Sequence, residues 1–134
     1  SHGVEPAPFV VSAACNRVPV FDGHLETVSV RLSNGASPDP TEVTDLYRTW
    51  RGMPQERSLP SAPATPIIVA EAEDRPQPAR DIWLAGGMAT VIDRIRRDPI
   101  ASVRMVILGH NTVRGAAGAA ILNAEAYVTL GYAV

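Results

Sequence analysis

Hydrophobic positions along this chain fall into short runs separated by proline and glycine, and the spacing within each run predicts an element. Phe9 to Cys15 is β-branched and aromatic, so it reads as a strand continuing toward Val20. Asp22-Gly23 suits a turn, because glycine takes a positive φ without steric cost. From Leu25 to Leu32, Val28, Val30 and Leu32 alternate with Thr27, Ser29 and Arg31, the period-two pattern of a strand with one buried face. The two segments are expected to pair as a hairpin. Next comes a helix: Asp39 can cap it, Pro40 suits its first position, and Glu42 stands where a capping box places a carboxylate. Val43, Leu46, Tyr47 and Trp50 then form a single apolar stripe at helical spacing, and Gly52 and Pro54 end the helix.

Farther along, Ser58 to Pro66 is proline-rich and extended, Ile67 to Ala70 reads as a short buried strand, and Glu71 to Arg80 as an acidic, proline-bearing loop. Met88 to Arg97 fits either a helix or an amphipathic strand, and the strand is preferred because Ala89, Val91, Asp93 and Ile95 alternate with Thr90, Ile92, Arg94 and Arg96. Val103 to Leu108 is almost wholly apolar, as a central strand is. From Asn111 onward the chain is rich in alanine and glycine and predicts a terminal helix that packs closely against a neighbour. The order β-β-α-β-β-β-α implies an α+β (α/β) class, a mixed sheet with helices packed on it.

Composition narrows the function. The 134 residues suffice for one domain. A net charge of -2 gives no general attraction to nucleic acid or anionic lipid, and no apolar run approaches the roughly 20 residues of a membrane span. A single cysteine makes no intrachain disulfide, and no Cys/His spacing marks a zinc site. All 12 basic residues are arginine, so Schiff-base lysine chemistry and a Walker-type phosphate loop are both excluded. Residues 1–3 read as a cloning remnant, and the polar start shows no signal peptide, so the expected location is the cytoplasm.

Arg17 and His24 bracket the expected turn, which would hold them on the order of 10 Å apart at about 3.4 Å per strand residue. The guanidinium is a planar fork that matches a carboxylate. The imidazole, titrating near neutrality, takes a proton from a thiol and returns one to a leaving group. The plainer alternative makes Arg17 a surface side chain and His24 a residue that follows a turn. Cys15, in an apolar run, reads as a small core residue rather than a nucleophile. His110 reads as a polar cap on a strand end, with a site at the sheet's end as the alternative. A metal site from His24, Glu26 and His110 lacks a recognised ligand spacing. Asn111 either caps the terminal helix or faces a bound polar group at its positive end.

Ser12 to His24, with its run Cys15-Asn16-Arg17-Val18-Pro19-Val20 followed by Asp22-Gly23-His24, resembles the signature segment of the aspartate-β-semialdehyde dehydrogenase family in its fungal and archaeal branch. Gly109-His110-Asn111-Thr112-Val113-Arg114-Gly115-Ala116-Ala117-Gly118 is similar to a second segment of that branch. Arg75-Pro76-Gln77-Pro78 and Gly86-Gly87-Met88-Ala89 lie between them in the same order. The resemblance implies a glyceraldehyde-3-phosphate-dehydrogenase-like C-terminal domain, incomplete here. Residues 4–110 would be part of the catalytic and dimerisation domain, and 111–134 a helix that docks on a nucleotide-binding domain. It further implies an NADP-dependent oxidoreductase that reductively dephosphorylates β-aspartyl phosphate to aspartate semialdehyde, on the route to lysine, methionine and threonine. A cysteine thiolate attacks the acyl phosphate there, and hydride reduces the thioester. Arg17 then matches the substrate-carboxylate arginine, His24 the acid/base histidine, and Asn111 a cofactor contact, in a homodimer or larger homo-oligomer.

The family's Asn-Cys-Ser/Ala-Thr nucleophile motif and glycine-rich nucleotide fingerprint do not occur here, and Cys15 occupies a different family position. The expectation is therefore a piece of the enzyme that is inactive by itself. A stand-alone dimerisation or regulatory module is the alternative. A related N-acetyl-glutamyl-phosphate reductase is a third, which the Arg-Val-Pro-Val and Gly-His spelling opposes.

Overall fold

The computed structural model describes residues 5–132, so the remnant expected at 1–3 and the last two residues of the 111–134 segment lie outside the described residues. Strand β1 (His24–Val30) is followed by helix α1 (Pro40–Thr49), a short helix α2 (Met53–Glu56), β2 (Ile67–Val69) and a short helix α3 (Pro78–Asp81). A 3-10 turn (Leu84–Gly87), β3 (Thr90–Arg97), β4 (Val103–Gly109), one π turn (Val113–Ala117) and helix α4 (Gly118–Thr129) complete the order. The strands form one mixed sheet in the order β1-β4-β3-β2. β2 runs parallel to β3, and the other pairs are antiparallel. No described helix is long and apolar enough to cross a membrane.

Alternation decides how the sheet is covered. Val28, Val30, Ile92, Val103, Met105 and Ile107 share one face, where Val43 and Tyr47 of α1 close the core. On the opposite face Val91 and Leu108 pack under Ile82 and Ala70. β3 is thus buried on both sides at Val91 and Ile92. Its simple alternation then breaks at a bulge between Asp93 and Arg96, where Arg94 takes a φ of 56°.

The start of α1 is as its sequence predicts: Asp39 accepts from the Thr41 N–H at 2.9 Å, with Pro40 in the first turn. Only half of the apolar stripe is used. Val43 is buried and Tyr47 partly so, whereas Leu46 and Trp50 stay exposed, because only the Val43 and Tyr47 side of α1 faces the sheet. The terminal helix opens on a π turn, with Gly115 N–H donating to His110 O and Ala117 N–H to Thr112 O. Close packing is real there: a Cβ on Gly118 would overlap the Met88 sulfur.

Three expectations fail together. Residues 9–20 form no strand, there is no hairpin at Asp22-Gly23, and Cys15 is exposed rather than in the core. The partner of β1 is β4, some 80 residues on, with His24 opposite Gly109 and Val30 opposite Val103. Strand propensity reports fitness for a pleated, half-buried surface, and residues 9–20 have no such surface beside them. The Glu71 to Arg80 stretch is likewise more ordered than expected, since Pro78 starts α3.

At the far end of the sheet, Asp98 accepts from the N–H groups of Ile100 and Ala101 and from the Ser29 hydroxyl, tying the β3–β4 turn to β1. The Ile100 N–H, then that of Ala101, then the hydroxyl lower the pKa of its carboxyl to about 2. A depressed folded value means that this tie is at full strength above the ordinary aspartate range and is lost as pH falls through about 2. A carboxyl-carbon NMR titration of Asp98 should show that midpoint, and an ordinary value near 3.8 would contradict it. Truncating the fully buried Leu108 to alanine should cost roughly 2–5 kcal/mol in denaturant unfolding. Truncating the exposed Leu46 should stay within about 0.5 kcal/mol.

Candidate functional site

Because β1 pairs with β4 in antiparallel register, the start of β1 and the end of β4 meet at one edge of the sheet. His24 is the first residue of β1, is exposed, and has Gly109 opposite it, so no side chain on β4 stands beside it. A Cβ at Gly109 would itself meet nothing within 4 Å. The imidazole therefore borders open space.

Just before it, Gly23 holds a φ of 111°, and its N–H donates to Asn111 Oδ1 at 2.9 Å. A Cβ on Gly23 would come within 3.1 Å of Ile82 Cδ1 and 3.2 Å of Leu108 Cδ1, so backbone conformation and space both require glycine. Asn111 is thus not the cap of the terminal helix; its side-chain oxygen reaches back across the chain.

His110 is buried, not a solvated cap on a strand end. Its ring lies edge-on to Trp83 with centroids 4.3 Å apart, and its Nδ1 is 3.3 Å from Thr112 Oγ1. Gly87 makes room for it: a Cβ there would stand 2.9 Å from His110 Cδ2.

Trp83 follows α3, whose first residues fall at the end of the Glu71 to Arg80 stretch. Asp81, with no exposed surface, pairs with the Arg75 guanidinium and accepts from the Gln77 N–H at 2.6 Å. That buried carboxylate fixes Arg75 to Trp83 as one rigid corner. Sequence offered a signal for it, since Gln77-Pro78 followed by Asp81 opens a helix as Asp39-Pro40 does. Against the corner lies residues 19–22, and the two enclose a shallow hollow of about 300 Å³ lined by Pro19, Val20, Phe21, Pro78, Ile82 and Trp83. A second, of about 420 Å³, lies at the β3 bulge between Glu71, Glu73, Arg94 and Arg96.

Arg17 is exposed on the irregular segment before the site. With no hairpin, the distance argument that joined it to His24 lapses, and neither hollow is lined by either residue. The structure unites Gly23, His24, Gly109 and Asn111. It leaves Arg17 on a neighbouring, uncovered stretch with Cys15. Among the described residues no three candidate metal ligands cluster.

Comparison with known proteins places the chain in a family. The family profile described as "Semialdehyde dehydrogenase, dimerisation domain" matches residues 3–114. An aspartate-semialdehyde dehydrogenase of Methanothermobacter thermautotrophicus is 50% identical over 124 residues, covering 91% of this chain and 35% of its own. That of Schizosaccharomyces pombe is 46% identical over 131 residues, covering 96% and 36%. The crystal structure of aspartate semialdehyde dehydrogenase with NADP from Candida albicans superposes with a TM-score of 0.78 at 40% identity, over 85% of this chain and 32% of that one. The chain thus spans about a third of the length of these relatives.

A Gly23→Ala change should lower stability by about 1–3 kcal/mol, from left-handed strain plus overpacking against Ile82 and Leu108. Thermal unfolding checks it, and Gly35→Ala serves as the control, with a positive φ but open space around it.

Proposed function

Since the chain belongs to the semialdehyde dehydrogenase dimerisation-domain family, we propose that it serves as one part of an aspartate-semialdehyde dehydrogenase, contributing a substrate-binding arginine and an acid/base histidine. Likeness to enzymes of that name over some nine-tenths of the chain is the observation that carries the reading. The substrate class is a small acidic acyl phosphate and its aldehyde, handled in the cytoplasm.

His24 suits its role by position. An exposed imidazole on the first residue of a strand, beside a glycine, can approach a reacting centre from either side of the sheet's end. It takes the proton of the attacking thiol and returns one to the departing group. Arg17 grips the substrate carboxylate by two parallel hydrogen bonds, a contact made equally in ground and transition state. The thiol is not Cys15, which lies two residues from the carboxylate-binding Arg17 and outside the nucleophile motif.

NADPH would supply the hydride in the proposed whole enzyme, and the Candida albicans relative was solved with NADP. One side chain here suits such a group. Asn111 has its oxygen committed to Gly23, and it keeps two amide N–H donors for an anionic or carbonyl oxygen. The outer side of α4, where Ile121, Tyr127, Val128 and Leu130 are exposed, is the surface that meets the nucleotide domain. Residues 4–110 carry the catalytic and dimer-forming part.

In the complete enzyme, Arg17→Leu should raise KM for aspartate semialdehyde roughly 10- to 100-fold, the worth of a charged hydrogen bond. His24→Asn should lower kcat about 100- to 10,000-fold with little change in KM. Negligible effects of both would defeat the assignment. The 134-residue chain alone should show no turnover and should elute as a homodimer or larger species by size-exclusion chromatography with light scattering. A monomer would count against the dimer-forming role.

A further inference from the structure

We propose that Asn111 is a positioning residue for His24, acting through the backbone of Gly23. The inference rests on the acid/base reading of His24 and assigns Asn111 work separate from any cofactor contact. Among the described residues β1 is an edge strand with β4 as its only neighbour, and His24–Gly109 is its terminal pair. Terminal pairs of edge strands are where a sheet opens first. Beyond that pair the ladder has ended, so the part-buried Gly23 N–H has no backbone acceptor from β4.

Asn111, two residues past Gly109, supplies one from its side chain at 2.9 Å, a bond between positions 88 apart in sequence. The residue preceding it is anchored: His110 is buried against Trp83, and its carbonyl accepts from the Gly115 N–H at 2.8 Å. On the other side, Gly23 is confined by Ile82 and Leu108. The bond therefore ties an immobile point to the residue that leads directly into His24, and it extends the sheet's order by one step at the place where the imidazole needs it.

The test uses Asn111→Ala, which removes the acceptor, and Asn111→Asp, which keeps an oxygen in the same place. In the 134-residue chain, Asn111→Ala should speed hydrogen exchange of the Gly23 amide about tenfold, the loss of one typical hydrogen bond. It should also move the imidazole resonances of His24, assigned with His24→Asn. Asn111→Asp should restore both. In the complete enzyme at saturating NADP, Asn111→Ala should lower kcat by roughly 10- to 100-fold, as a small misplacement of a reacting group does. Unchanged Gly23 exchange and His24 resonances in Asn111→Ala would overturn the proposal. So would a raised KM for NADP with kcat intact, the signature of a cofactor contact alone, or an Asn111→Asp chain whose Gly23 exchange and His24 resonances match those of the alanine variant. If the complete enzyme proves inactive on aspartate semialdehyde, the functional reading fails, and the spectroscopic arm still decides the positioning.

Discussion

The antiparallel pairing of β1 with β4 is the constraint on which the remainder depends. Seven residue pairs join segments some 80 positions apart. The chain closes a long loop to make them, a cost that grows only slowly with loop length and is met by burying Val28, Val30, Met105 and Val103 under α1. Register leaves no freedom in the matter. A one-residue slip of β1 would turn Val28 and Val30 to the opposite face and bring Ser29 toward the core in their place. The same register places His24 across from Gly109 and within a side chain's reach of Asn111, so packing at one end of the sheet determines the chemistry available at the other.

What the sequence disclosed follows the range of the forces involved. α1 was legible because its cap, its proline and its stripe lie within a dozen residues, and β1, β3 and β4 because alternation or an unbroken apolar run is a local pattern. Residues 9–20 misled for a related reason. Their composition is strand-like, yet a strand exists only with a partner, and the partner of β1 proved to be β4. Cys15 fell with that expectation, since its burial depended on the strand. The stripe of α1 was read correctly as a pattern, but the pattern does not say how far the surface beneath it extends, and Leu46 and Trp50 lie past its edge.

The candidate site shows the same division. His24 and Arg17 were picked out by residue type and by resemblance, whereas the 10 Å separation first given to them belonged to a hairpin that does not form. Asn111 was singled out for a place at a helix start, and the structure gives its oxygen a different partner, 88 residues away. Asp81 was not singled out at all. A carboxylate in an acidic, proline-bearing stretch looks like solvated surface, and only tertiary packing reveals it as the buried centre of the Arg75 to Trp83 corner.

The uneven covering of the chain bears on how its parts work together. One sheet face is closed by α1, and the corner from Arg75 to Trp83 caps the end nearest the site. Phe9, Val10, Val11, Val18 and Phe21 are all exposed, as is the free edge of β1. Exposed apolar residues beside an unpaired strand edge are a combination that proteins cover or pair. The description of its family by dimerisation gives a reason for doing so. On the proposed reading, that uncovered stretch includes Arg17 and runs directly into His24. Anything packed over it also sets the distance between the guanidinium and the imidazole. Assembly and substrate geometry are then two consequences of the same surface, and on that reading the sheet end and the irregular segment before it form one site.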